Sequence, residues 1–276
     1  MSDASAIDGD AAAAVASCRL IMVHATSAAL WQEARRLCDD ALAQGFSFVA
    51  MLRDAEAFAD EGLLTEADRQ RAARFRQPRD RHNLVLGRTM VHHLVRPHGA
   101  AAPCSFSVGP YGKPFLPDAP AYNLSHSGPW IACAVGRAEP IGIDVETFAR
   151  LRDYQSLLPT IAHEAERRSI EQAAPDHRLM LFKRCWTRKE AVLKAAGEGL
   201  SDKLQAIDVC LDQNEPVLDV PLPLRLVDLP IQGEPVTASL AQSPSVAGVV
   251  VMLVLADIAS NEKVFVHNDG PRPRAV

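Results

Sequence analysis

Positive charge is not in excess in this chain of 276 residues: 29 Lys and Arg stand against 34 Asp and Glu. The formal net charge of −5 argues against nucleic acid as the main partner, though a local basic pocket for a phosphorylated small molecule stays compatible with it. Paired cysteine motifs are missing too. Cys18, Cys38, Cys104, Cys133, Cys185 and Cys210 are scattered with no C-x-x-C, which reads as reduced core thiols and not a disulfide framework. The N-terminus has no basic secretory n-region; Asp3 to Ala16 is acidic and Ala-rich, and residues 1–17 are expected to be a disordered lead. The longest apolar run, 246–256, falls far short of the ~20 residues of a membrane span and reads as a buried Val-rich strand. A soluble, cytoplasmic protein without membrane or nucleic-acid partners is expected. Phosphate loops of the P-loop and G-x-G-x-x-G types are absent, as is G-x-S-x-G. His163-Glu164 opens like H-E-x-x-H, but position 167 is Arg, so a zincin site fails.

What the chain does have is apolar content enough for a proper core, 48% of residues. A strand is expected at Cys18 to His24, then a helix from Trp31 to Leu42 with Leu30, Ala34, Leu37 and Ala41 on one face. Thr65 should cap a helix running to about Arg76, with Glu66 and Asp68 in its first turn. Pro78 interrupts, and a second helix runs from about Arg81 to Val95. A strand at Ser105 to Val108 precedes the turn-rich Gly109 to Pro114. In the second half a helix from about Ala162 stops near Pro175, and a longer one runs from Asp176 to Ala196. Strands are expected at Ala206–Leu211, Leu222–Val227, Pro235–Ala241 and Val246–Leu255. Helix, proline break, helix, strand thus occurs twice. The tail from 259 is expected to be disordered.

Two segments concentrate the chemistry. In Ile141-Gly142-Ile143-Asp144-Val145-Glu146 the alternation is strict, with the aliphatic residues on one face and Gly142, Asp144 and Glu146 on the other. Two carboxylates ~7 Å apart along a strand can share one hard cation such as Mg²⁺, or can simply face solvent away from the core. In Trp186 to Gly197, residues Trp186, Glu190 and Lys194 are four apart and share a helix face; Glu190 and Lys194 read as an ordinary ion pair or as site residues. Tyr122-Asn123-Leu124-Ser125-His126-Ser127-Gly128 puts a His between two hydroxyls, either an exposed polar stretch or a phosphate site. Arg69, Arg71, Arg74, Arg76, Arg79 and Arg81 read mostly as a solvated helix face, with one or two suited to gripping a phosphate.

Together these segments resemble the 4′-phosphopantetheinyl transferases of the surfactin-synthetase-activating type. The matching pieces, in the family's order, are Gly112-Lys113-Pro114, Asn123 through Gly128, Ile141 through Glu146, and Trp186 through Lys194 followed by Gly197-Glu198-Gly199-Leu200. The similarity spans about Leu63 to Leu211. The resemblance implies an α+β fold of two similar α/β subdomains, 18–138 and 139–258, related by a pseudo-twofold with the site in the cleft between them. It implies transfer of 4′-phosphopantetheine from coenzyme A to a serine of an apo acyl or peptidyl carrier protein, by a monomer. By the same resemblance Asp144, Glu146 and Glu190 bind Mg²⁺, and Lys194 contacts the pyrophosphate and leaving group. Arg71, Ser125 and His126 bind phosphates, Gly112, Lys113 and Pro114 line the adenine pocket, and Glu190 is the base, with Glu166 the other candidate. The segment before Leu63 is longer than the family's, and the tail has no counterpart in it. The competing classes are another Mg²⁺-dependent phosphotransfer or phosphohydrolase enzyme and a non-catalytic coenzyme A-binding relative.

Overall fold

The computed structural model describes residues 17–23, 27–99, 103–109, 112–148, 154–197, 204–219, 222–231 and 233–255. All of the expected lead but Ser17, which the structure places in a strand, and the whole of the expected tail lie outside these residues.

Period-two burial organises the molecule. In strands β2 (Ser47–Arg53), β6 (Trp130–Gly136) and β11 (Gly248–Leu255), alternate side chains are buried on opposite faces. Phe48, Ala50 and Leu52 pack with Ile131, Cys133, Val135, Val250 and Met252 against helices α1 (Ser27–Ala43) and α3 (Pro78–Leu94). Val49, Met51, Trp130, Ala132, Val249 and Val251 pack instead on Ile143, Val145, Ala238 and Leu240 of a second sheet. A strand buried on both faces must be apolar throughout, as the run Val249 to Leu255 is.

The first sheet has the order β1-β11-β2-β6-β5, where β1 is Ser17–Met22 and β5 is Ala121–Ser127. β1, β11 and β2 run parallel, and β6 and β5 are antiparallel additions. β11 comes from the far end of the chain, so the first sheet is not made of 18–138 alone. Its position between β1 and β2 follows from its composition, which only a central site buries on both sides. The second sheet is antiparallel, β7-β10-β9-β8, with β7 at Ile141–Thr147, β8 at Val217–Asp219, β9 at Pro223–Asp228 and β10 at Val236–Gln242. Its outer face is covered by α4 (Tyr154–Ile161), α5 (Glu164–Gln172) and α6 (Pro175–Ala196). The result is an α+β fold of four layers, helices outside and two sheets inside. A small hairpin, β3 (Ser107–Val108) with β4 (Pro114–Phe115), lies beside them.

Local signals act as expected at several ends. Thr65 caps α2 (Glu66–Ala72) through a reciprocal box with Asp68, and Pro78 opens α3 at its first turn. Gly197, at φ +74°, closes α6. The strand expected at 206–211 does not form; a short 3₁₀ turn at Leu204–Ala206 leads into a coil. The reason is the partners of its backbone. The Lys189 ammonium is donated to Leu204 and Ile207 carbonyls, Arg188 is donated to those of Val209 and Cys210, and the Val209 N–H is donated to Glu166. Charged side chains supply the hydrogen bonds that a sheet ladder would.

Candidate functional site

The two sheets meet edge to edge at β5 and β7, and side chains make the junction. Asn123, Ser125 and Ser127 are every second residue of β5, so they share a face. The Ile143 N–H donates to Asn123 Oδ1 (2.9 Å), the Val145 N–H to Ser125 Oγ (3.2 Å) and the Thr147 N–H to Ser127 Oγ (3.2 Å). The backbone edge of β7 is thereby satisfied without a sixth strand in the first sheet.

On β7 the aliphatic face enters the core between the sheets, as the alternation predicts. The polar face is not solvent-facing: α6 lies across it. Gly142 shows how closely, because a Cβ there would fall 2.2 Å from the Ala191 carbonyl oxygen and 2.3 Å from the Ala195 nitrogen. Two lysines of α6 pin it to β7, Lys183 donating to the Thr147 carbonyl (2.8 Å) and Lys194 to that of Ile143 (3.2 Å). Glu190 is carried between them.

Asp144 is therefore buried, at 5% exposure, and not on a free surface. Its Oδ1 accepts from Lys194 Nζ at 2.6 Å and from Ser125 Oγ at 2.9 Å, while its buried Oδ2 has no partner. Glu146, half-buried, accepts from Ser127 Oγ at 2.8 Å. Glu190 is half-buried, and its buried Oε1 has no partner. Burial is the main force raising the Asp144 carboxyl above its usual range, opposed by Lys194 and Ser125. Burial also raises Glu190, with repulsion from Asp144 and Glu146 adding and Lys194 opposing. The three carboxylates and one ammonium thus share one electrostatic site. Among the described residues no group of three His, Cys, Asp or Glu side chains forms a ready metal cage.

The other sequence-derived candidates are spread around this centre. His126 is exposed, pointing opposite to Ser125, which is buried. Lys113 donates to Glu139 (2.8 Å) and to the Ile141 carbonyl (2.9 Å), and it lines a cavity of about 770 Å³ with Phe115, Pro120, Arg137, Pro140 and Ala195. Gly112 and Pro114 flank it in the β3–β4 turn, where Gly112 takes φ +85°. Arg71 is exposed in the last turn of α2, as are the neighbouring arginines of the basic run. Glu198, Gly199 and Leu200 lie outside the described residues. Trp186 is half-buried beside Phe182.

Glu166 sits apart from Asp144 in its bonding. It caps α5, accepts from the Val209 N–H at 2.7 Å and pairs with Lys189 at 2.9 Å, all fully buried. These contacts are architectural.

The model of the 4′-phosphopantetheinyl transferase superfamily matches residues 140–220, the stretch from β7 through α6 to β8. A 4′-phosphopantetheinyl transferase of Bacillus subtilis is 33% identical over 147 residues, covering 52% of this chain and 64% of that protein. HetI of Nostoc sp., also named a 4′-phosphopantetheinyl transferase, is 32% identical over 160 residues, 55% of this chain and 67% of that one. Sfp of Bacillus subtilis strain 168 is 31% identical over 156 residues, 55% and 68%. The chain belongs to the 4′-phosphopantetheinyl transferase family. It spans about two thirds of the length of these transferases. The family match covers Asp144, Glu146, Glu190 and Lys194 together.

Gly142 and Lys183 build the site although the sequence reading gives them no role, and Ser127, read there only as a hydroxyl of an exposed stretch or phosphate site, instead holds Glu146 and the Thr147 N–H. A glycine inside an apolar strand was the available signal for Gly142, since such a glycine marks a close backbone approach. For Ser127 the signal was its two-residue offset from Ser125, matching that of Glu146 from Asp144.

Proposed function

We propose that this protein transfers 4′-phosphopantetheine from coenzyme A to the hydroxyl of a carrier-protein serine, releasing adenosine 3′,5′-bisphosphate. The observation that carries this is the pair of buried carboxylate oxygens without partners, Asp144 Oδ2 and Glu190 Oε1, in a site that also holds Lys194. Buried unpaired carboxylate oxygens are costly and call for a cation. The carboxylates of Asp144, Glu146 and Glu190 suit Mg²⁺, a hard cation that binds carboxylate oxygens together with phosphate oxygens and water and does not need a closed protein cage. When bound, the ion would neutralise charge on the pyrophosphate.

The chain's own residues supply the rest. Lys194, about one quarter exposed, reaches both the site and solvent, so it meets the pyrophosphate and steadies the negative charge on the departing bisphosphate. Glu190, held partly protonation-prone by burial and its acidic neighbours, is suited to take the proton of the carrier serine hydroxyl, directly or through water. The serine oxygen forms a bond to the phosphorus that bears pantetheine as the bond to the bisphosphate oxygen breaks. Arg71 and His126 provide exposed cationic or donor groups for the phosphates, Ser125 stands behind them, and the cavity beside Lys113, with Gly112 and Pro114, accepts the adenine.

Within this reading the two halves are related by a pseudo-twofold, supported by the recurrence of helix, proline, helix with α2–α3 and α5–α6. The protein acts as a cytoplasmic monomer on coenzyme A and a carrier protein; no helix among the described residues is long and apolar enough to cross a membrane. Mass spectrometry of an apo carrier incubated with protein, coenzyme A and Mg²⁺ tests it. A gain of about 340 Da on the carrier is expected, lost when Mg²⁺ is chelated because the phosphates then lack their counter-charge. Hydrolysis of coenzyme A without carrier modification would favour a phosphohydrolase, and binding without turnover a non-catalytic relative.

A further inference from the structure

Ser125 and Ser127 occupy equivalent places two residues apart on β5, opposite Asp144 and Glu146 two residues apart on β7. Each hydroxyl does the same two things. It accepts the backbone N–H of the residue after the carboxylate (Val145 or Thr147) and lies within 2.9 Å of the carboxylate itself. A serine hydroxyl has one hydrogen and two lone pairs. At Ser125 the other neighbours, the Val145 N–H and the Lys194 ammonium at 3.1 Å, are donors only. The Ser125 hydrogen therefore goes to Asp144, and both lone pairs are filled. At Ser127 the Thr147 N–H takes one lone pair, and the hydrogen goes to Glu146 at 2.8 Å. Thr147 Oγ1, 3.4 Å away, carries its own hydrogen and fits the remaining lone pair.

We infer that Ser125 and Ser127 are positioning residues, which set the rotamers of the two cation-binding carboxylates and tie those rotamers to the seam between the sheets. The inference rests on the proposed cation site. It reassigns the Ser125 hydroxyl from the phosphate contact implied by family resemblance: the hydroxyl hydrogen is donated to Asp144, so the hydroxyl serves the carboxylate and not a phosphate oxygen. Asn123 is the built-in control. It makes the same seam contact, to the Ile143 N–H at 2.9 Å, but the residue before Ile143 is Gly142, which has no carboxylate to orient.

The experiment measures Mn²⁺ binding to the full chain in the presence of coenzyme A by electron paramagnetic resonance, beside thermal melting, for wild type, Ser127→Ala, Ser127→Thr and Asn123→Ala. Loss of a hydrogen-bond partner of a metal carboxylate typically weakens metal binding by about 10- to 100-fold, and that is expected for Ser127→Ala. Ser127→Thr, which keeps the hydroxyl, should recover to within a few-fold. Asn123→Ala should melt earlier, having lost its seam bond, yet bind Mn²⁺ like wild type. In turnover, Ser127→Ala should raise the Mg²⁺ concentration needed for half-maximal rate more than it lowers the rate at saturating Mg²⁺. Equal Mn²⁺ affinity in wild type and Ser127→Ala overturns the positioning role while leaving the cation site standing. Equal weakening by Asn123→Ala also overturns it, because the seam as a whole would then be responsible. Wild type that binds no Mn²⁺, matched by Asp144→Ala, overturns the cation site and this inference with it.

Discussion

Lys194 is the residue on which stability and the proposed chemistry converge. Its ammonium holds Asp144 Oδ1, the Ser125 hydroxyl and the Ile143 carbonyl, so it is fixed before any substrate arrives. An exposed i,i+4 pair of Glu190 and Lys194 would be worth only ~0.3–0.5 kcal/mol and would matter nowhere else. Here Lys194 pairs across to β7 and leaves Glu190 with a bare oxygen. Glu190→Gln should slow single-turnover transfer at saturating coenzyme A by ~10²-fold or more, with melting little changed. Lys194→Ala should lose rate, bind coenzyme A more weakly and melt earlier, since it strands a buried carboxylate. Near-wild-type single-turnover rates in both would remove these residues from the mechanism. A second residue-scale test lies away from the site. His93 stacks on Trp31 at 5.0 Å, and burial, helped by His92, pushes its imidazole down to about 4 from 6.5. Between those values the unfolded chain binds a proton that the native state refuses. His93's contribution to stability is thus full above about 6.5 and is lost as pH falls toward 4. His93→Phe keeps the stack and has no proton to bind, so its melting temperature should fall less than that of wild type from pH 7 to 4.5; parallel curves would refute the burial argument.

At the scale of elements, the contact of α6 with β7 decides the site. Both are straightforward to foresee singly; their apposition is not. Gly142→Ala tests it. A methyl group 2.2 Å from the Ala191 carbonyl oxygen has nowhere to go, so α6 must lift from β7. Overpacking of this kind costs typically ~1–3 kcal/mol, and denaturant melts should register it. Transfer activity should fall further than the folded fraction does, because the lift separates Glu190 and Lys194 from Asp144; activity tracking the folded fraction would mean that the contact serves stability alone. The face pattern of β7 was legible because alternation of Ile141, Ile143 and Val145 with Gly142, Asp144 and Glu146 has one structural solution. What covers the polar face was not, since α6 begins 28 residues after β7 ends and no local rule links them. The coil at 206–211 has the sequence of a strand for a related reason: its partners are Arg188, Lys189 and Glu166, all buried, and buried charges are the exception that composition does not announce. β2 and β6 are not legible in the sequence because burial on both faces erases the alternation. α4 is masked in the same way by Pro159, which lies inside it.

For the whole molecule, the consequential feature is that the first and last of the described strands meet. β1 pairs with β11 from Ser17↔Gly248 to Met22↔Leu253, and β11 pairs with β2 from Val249↔Ser47 to Leu255↔Arg53. The half of the chain before residue 139 therefore contains a sheet that lacks the strand between β1 and β2. Removing β11 strips β1 of its neighbour, bares one edge of β2, and uncovers Phe48 and Leu52 on one face and Val49 and Met51 on the other. The loss reaches the site as well, because the seam that holds Asp144 and Glu146 hangs from β5, the far edge of the same sheet. Residues 1–138 expressed alone should fail to give dispersed amide resonances and should bind a dye for exposed apolar surface, whereas the same fragment mixed with residues 139–276 should recover the folded spectrum. A fragment 1–138 that folds by itself, with protected amides in β2, would show that β11 is an accessory strand, and the coupling of sheet to site would have to run through β6 and β5 alone.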